Sequence, residues 1–276
     1  MKVKFTRIFK LLIVGMTALT VASANFEPTV VSAANHVKSH RIIKKHKTVK
    51  KKKKIVEVAT NTGAGVETQT KPVNSIPDLA KDTPEIADFN QEVLTKYSLL
   101  GYIWQKPHAI TYAYQNMSDH QAALIDTEVK AINDLGIVHL VKGNYANSDI
   151  NINLTNNLHD KYHMQDKLDY YGMTAPYFFP DSNFKGLQYF GRADIDLGND
   201  SINKHADNDY DTLFKSVILH ELGHALGLDH LPDNIKEQNI MTDGINGSEY
   251  VRKNTNGEVA IDQYFINSLA ILYHNY

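Results

Sequence analysis

From residue 100 to the C-terminus, hydrophobic and polar positions fall into short periodic blocks. Ile110-Thr111-Tyr112-Ala113-Tyr114 alternates, which is the period of a strand with one buried face. Gln121 to Leu135 follows with Ala122, Ile125, Val129 and Ile132 at helical spacing, so one stripe of that helix is apolar. Ile137 to Val141 predicts a second strand and Asp149 to Leu154 a third. Near the end, Ile261 to Tyr273 carries Ile266, Leu269, Ala270, Leu272 and Tyr273, the pattern of an amphipathic closing helix. The span from 100 to 276 is long enough to bury one globular core.

The pattern changes before residue 100. Lys2, Lys4, Arg7 and Lys10 precede an apolar run from Leu11 to Ala24. That run is too short for a membrane span and suits the core of a signal peptide. Ala22-Ser23-Ala24 and Val31-Ser32-Ala33 are both small-residue cleavage sites, so residues 1–33 are read as a removable export signal cut near 24 or 33. The second site suits a long signal. An uncleaved anchor is the competing reading; no later stretch is apolar enough to span a bilayer. Residues 34–99 read as a basic, disordered pro-region or linker. Within them, Asp82 to Tyr97 is the one stretch with helical character, with Asp82 or Thr83 as cap and Pro84 in the first turn.

Charge sharpens this division. The formal net charge is −2, but Lys38, Arg41, Lys44, Lys45, Lys47 and Lys50 to Lys54 form a basic block with no acid among residues 36–54. From residue 55 onward there are 15 basic and 30 acidic side chains. A block of like charge does not fold by itself. It can hold an anionic cell envelope, lie on the acidic body as a pro-segment, or stay solvated. Export makes nucleic acid an unsuitable partner. The chain has no cysteine, so no disulfide supports an exported fold.

The chemistry is concentrated at residues 220–230, His-Glu-Leu-Gly-His-Ala-Leu-Gly-Leu-Asp-His. His220 and His224 are one helical turn apart on the same face and can share one zinc ion. Glu221 beside them is placed to act as a base. Gly227 can end the helix in a left-handed conformation and return the chain so that His230 supplies a third nitrogen, leaving the fourth position for water. A bare His-Glu-x-x-His arises by chance in roughly one chain in a hundred of this length, and the added Gly and third His lower that by about a thousandfold. A core helix carrying two satisfied histidines is the bland alternative, and these odds weigh against it.

Together with Met241 in Asn239-Ile240-Met241-Thr242, the motif resembles the metzincin metallopeptidases, with Met241 at their Met-turn, and within them the matrixins. The resemblance covers about residues 100–276. It implies an α+β fold: a twisted, mostly parallel sheet, long helices, an active-site helix carrying the motif and a C-terminal helix. It also implies a secreted zinc endopeptidase whose zinc-held water is activated by Glu221. The zinc is held by His220, His224 and His230 over a floor made by Met241. Protein or peptide is the substrate, taken as an added strand near Phe178 and Phe179, with Pro176 removing one backbone donor. Residues 242–259 would wall the pocket beyond the cleaved bond. The product is expected outside the cell, with a cell-wall association through residues 36–54 as one reading. A non-catalytic surface-binding protein on the same fold, using the Lys-rich tail, is the alternative. The intact Glu221 argues against it.

Several positions depart from the family. Its latch is a cysteine thiolate, and this chain has none. Its second, structural zinc uses histidines that would align at Pro176 and near Asp194, so the resemblance does not extend to that site. His159, His163 and His205 are left as solvent-facing. Asp194, Asp196 and Asp200 carry oxygen donors of the kind calcium takes. The same stretch also reads as a strand turning polar residues to water. Asp229 reads as a loop-structuring residue or as a hydrogen-bond partner behind the ligands. Tyr250 lies nine residues past Met241, a poor offset for the tyrosine that some metzincins add there.

Overall fold

The computed structural model describes residues 78–165, 169–231, 239–242, 259–274 and 276; for residues 180–182 it describes only the backbone. The expected signal peptide, the basic block 36–54 and Tyr250 lie outside the described residues, as does nearly all of the 242–259 loop.

Six strands make one sheet: β1 (Tyr102–Ile103), β2 (Ile110–Gln115), β3 (Leu140–Lys142), β4 (Ile150–Thr155), β5 (Gly172–Phe184) and β6 (Leu187–Gly198). The spatial order runs β1-β6-β4-β2-β3 with parallel pairing throughout, while β5 lies antiparallel along β6. The expected mostly parallel sheet is therefore present. Its strands carry Ile110, Ile150, Ile152, Ile195 and Leu197 fully buried, as a sheet covered by helices requires. The predicted second strand begins only at Leu140. The amide of Asn133 brackets that first residue, accepting from Leu140 N–H at 2.7 Å and donating to Leu140 O at 2.9 Å.

Among the described residues the helices are α1 (Gln91–Tyr97), α2 (Asp119–Asp134), α3 (Leu158–Tyr162), α4 (Asn199–His205), α5 (Tyr210–Ala225) and α6 (Gln263–Tyr273). α2 starts on a capping box in which Ser118 and Gln121 each bond the other's backbone N–H. It buries Ile125, Val129 and Ile132, three members of the predicted stripe. α6 starts on Asp262, whose carboxylate accepts from Phe265 N–H at 3.0 Å.

The ordered body extends below residue 100. Only 91–97 of the anticipated 82–97 segment is helical, and Asn90 rather than Asp82 or Thr83 is its cap. The preceding residues are held by tertiary contacts instead: Phe89 is buried and donates its N–H to Lys185 O at 2.8 Å. At the other end, Leu79 N–H donates to Asn267 Oδ1 of α6 at 2.9 Å and Ser268 Oγ donates to Tyr97 O at 2.8 Å. Residues 78–99 thus form a strap packed on the domain.

Candidate metal centre and active site

The centre is built at the C-terminal half of α5. Apolar residues on nearly every side, including Leu213, Phe214, Val217, Ile218, Leu219 and Leu222, sink this helix into the core. Its last carbonyls would be orphaned there. Trp104 Nε1 donates to Ala225 O at 2.8 Å and Tyr273 OH donates to Leu226 O at 2.9 Å, which satisfies two of them. Gly227 then adopts φ +96°, and Leu228 N–H reaches back to Gly223 O at 3.0 Å, the bond that reverses the chain after a left-handed residue. A side chain at 227 would also strike Tyr102 O. This reversal carries His230 to the other two histidines, as the glycine predicted.

The three Nε2 atoms lie 3.1 Å (220 to 224), 3.1 Å (224 to 230) and 3.3 Å (230 to 220) apart. Three nitrogens of a tetrahedral zinc at its usual bond length stand about 3.3–3.4 Å apart, so the triangle fits that ion. The opposite ring nitrogens fix the tautomers of two of them. His220 Nδ1 donates to Ile240 O at 2.6 Å and His224 Nδ1 to Leu228 O at 2.8 Å, which leaves each Nε2 lone pair facing the centre. Burial, then the neighbouring His220 and His230, hold the His224 imidazole well below its usual value and so keep it neutral. Among the described residues this is the one group of three or more ligand side chains whose donor atoms converge.

Glu221 sits beside the triangle, 5% exposed. Its Oε2 accepts from Thr174 Oγ1 at 2.6 Å, and the same hydroxyl lies 3.1 Å from Glu221 O. Burial raises its carboxyl above the ordinary range, against the pull of His220 and the Thr174 hydrogen bond. The carboxylate lies against Gly172, where any Cβ would collide with it. Thr174 and Gly172 carry no motif and went unread in the sequence.

Met241 is buried beneath α5. A Cβ at Gly223 would lie 2.5 Å from Met241 Sδ and 2.9 Å from Phe265 Cε2, so the glycine inside the motif exists to admit the methionine. The turn is closed by Thr242 N–H to Asn239 O at 3.0 Å and anchored by Ile240 N–H to Asp262 Oδ2 at 2.9 Å. Asp262 therefore caps α6 and also steadies the peptide whose carbonyl orients His220. Asp229 structures its own loop, accepting from His230 N–H at 2.8 Å.

The proposed aspartate group does not assemble. Asp194 and Asp196 lie on β6, whereas Asp200 stands apart in the first turn of α4, because the strand ends at Gly198. The buried Asp196 carboxylate accepts from Asn153 Nδ2 at 2.9 Å and is also bound by the Lys161 ammonium and the Tyr162 hydroxyl. Asp194 pairs with Arg192 at 2.7 Å and with Asn151 Nδ2 at 3.3 Å. Among the described residues no second group of metal-ligating side chains converges. The register sets Ala175, not Pro176, against Asp194, and the residues around that cleft include no histidine. Of the unassigned histidines, His163 is exposed, but His205 lies 3.0 Å from Asp169 and His159 packs on Tyr170, 5.7 Å between ring centres.

No curated protein matches the chain. Among solved structures, one described as the structure of myroilysin is similar at 13% identity and a TM-score of 0.30, with 49% of this chain and 48% of that chain covered. The chain thus spans about half the length of that structure. The matrixin family model (Peptidase_M10) matches residues 103–266, from β1 through the histidine centre and into α6. By that match the chain belongs to the matrixins, a family of zinc-dependent metallopeptidases.

Proposed function

We propose that this chain is a secreted zinc endopeptidase in which Glu221 is the general base. One observation carries the reading: three Nε2 atoms converge at zinc-ligand spacing beside a buried carboxylate that Thr174 holds in place. Zinc, when bound, supplies a Lewis acid that polarises water and the substrate carbonyl. The protein's own groups do the rest. His220, His224 and His230 would hold the metal, the lone pairs of the first two directed by the Ile240 and Leu228 carbonyls. Glu221 accepts the proton of the attacking water and later delivers it to the leaving amine. Burial raises its affinity for a proton, the direction a proton carrier needs. Thr174 keeps the carboxylate from turning away while it does so.

Export rests on the basic start and short apolar run of residues 1–24. The basic block 36–54 supports delivery to an anionic envelope, since the body beyond it is acidic. The test is hydrolysis of a quenched-peptide library by the full chain, with zinc, with chelator, and with Glu221→Ala beside it. Cleavage that chelator and the substitution both abolish is the expected result. A folded, zinc-loaded wild type that cleaves nothing overturns the reading.

A further inference from the structure

Thr174, the partner of Glu221, lies on β5, and among the described strands β5 pairs only with β6. Among the described residues its far edge is unpaired, and the register shows which backbone groups face it. Ala193 N–H donates to Asp149 O at 2.8 Å, so Ala193 turns its backbone groups towards β4. Ile195 and Leu197 share that direction because alternate residues on a strand repeat it. Gly198 N–H donates to Tyr171 O at 2.8 Å, which confirms that the other set faces β5. Leu197, Ile195 and Ala193 pair with Gly172, Thr174 and Pro176. These three residues therefore direct their backbone groups to the unpaired edge, each being the wide, unbonded type of antiparallel pair.

That edge begins at Glu221 and offers carbonyls at 172, 174 and 176. It offers donors only at Gly172 and Thr174, since proline has no N–H. The regular pattern does not resume beyond Pro176, because the pairing shifts between Tyr177 and Phe178.

We propose that Pro176 is a specificity-determining residue that ends the backbone grip on an extended peptide substrate at Thr174. The proposal rests on the endopeptidase reading and on a peptide adding to this edge as a strand. A substrate binds its backbone to Gly172 and Thr174, close to the metal. The substrate carbonyl that reaches the level of Pro176 finds no donor. Recognition beyond that level then comes from side chains alone.

The experiment is a carbonyl scan. A peptide that the full chain cleaves is remade with single amide carbonyls reduced to methylene, one position at a time, and KM and kcat are measured for wild type and Pro176→Ala. In wild type, one position between sensitive and remote carbonyls is silent. In Pro176→Ala that position raises KM about 2–10-fold when reduced, the worth of one hydrogen bond. The variant also binds the parent peptide tighter by a similar factor with kcat unchanged. Equal behaviour of the two proteins overturns the proposal. So does a wild type that is sensitive at every carbonyl along the edge, a result that does not depend on the variant folding. If zinc-loaded wild type cleaves no peptide, the endopeptidase reading itself falls, and this proposal with it.

Discussion

Glu221 and Thr174 are the smallest unit on which the chemistry can be checked. Glu221→Gln keeps the shape and removes the base, so kcat is expected to fall by about 10²–10⁴-fold, the usual worth of a positioned proton carrier. Zinc content should stay near wild type, since the ligands are untouched. Thr174→Val leaves the carboxylate present but loose; kcat should drop roughly tenfold, with Thr174→Ser restoring most of it because the hydroxyl returns. Equal losses in Ser and Val variants, read from kcat and metal content together, would show that Thr174 serves packing only. Behind the ligands, Asp262 offers a parallel case. It holds Ile240 N–H and caps α6 at once, so Asp262→Ala should weaken zinc binding and lower Tm together.

Between elements, two buried charges set expectations of opposite kinds. Glu128 on α2 is 3% exposed, and burial raises its carboxyl to about 7, only partly offset by Lys215 of α5. The folded state therefore holds the proton more tightly than the unfolded chain does. Its contribution to stability is fully present below the unfolded value of 4.5 and is lost as pH rises through about 7. The loss is on the order of 3 kcal/mol. Glu128→Gln, neutral at every pH, should raise Tm by several degrees at pH 8 and leave it unchanged near pH 4.5. Melting curves at the two pH values decide this, and an equal shift at both would contradict it. Asp196 is the contrary case. Its buried carboxylate is already matched by Lys161, Tyr162 and Asn153, and a buried charge that loses its partner is costly. Lys161→Met should lower Tm, with added calcium recovering part of the loss, whereas calcium should leave wild-type Tm unmoved.

On the scale of the whole molecule, the strap 78–99 ties the two ends of the domain to the centre. Leu99 bridges Leu228, Leu100 N–H donates to Gly227 O at 2.9 Å, and Asp229 N–H donates to Ser98 O at 2.7 Å. These two hydrogen bonds, which make the Leu99–Leu228 bridge, brace the reversal that carries His230. A chain beginning at residue 100 loses the Ser98 acceptor and Leu99 of that bridge, along with the buried Phe89. Each of those side chains contributes about 2–3 kcal/mol by burial. Such a chain should melt roughly 10 °C below one that begins at Asp78, and it should bind zinc more weakly. Calorimetry and a zinc-competition titration of the two would test it.

What could be read from the chain were the features written locally. The period of α2 and the run of β2 depend only on neighbours in sequence, and so do the one-turn spacing of His220 and His224 and the reversal at Gly227. Local rules failed where distant groups compete. Residues 83–90 are not helical because Phe89 is drawn to Lys185 on the β5–β6 hairpin. The strand after α2 starts late, at Leu140, and His139 just before it donates its N–H to Pro107 O at 2.8 Å. Pairing with β6, which no local pattern announces, sets Ala175 opposite Asp194 and Pro176 opposite Ala193. Thr174, forty-seven residues before Glu221, has no sequence signal for its role. The eleven residues from His220 to His230 determined the three-histidine centre, since helical period and one glycine suffice to bring three imidazoles together. The orientation of those imidazoles, the partner of Glu221 and the donors left on the outer edge of β5 were decided only in the folded sheet, where hydrogen bonds join residues that the chain keeps far apart.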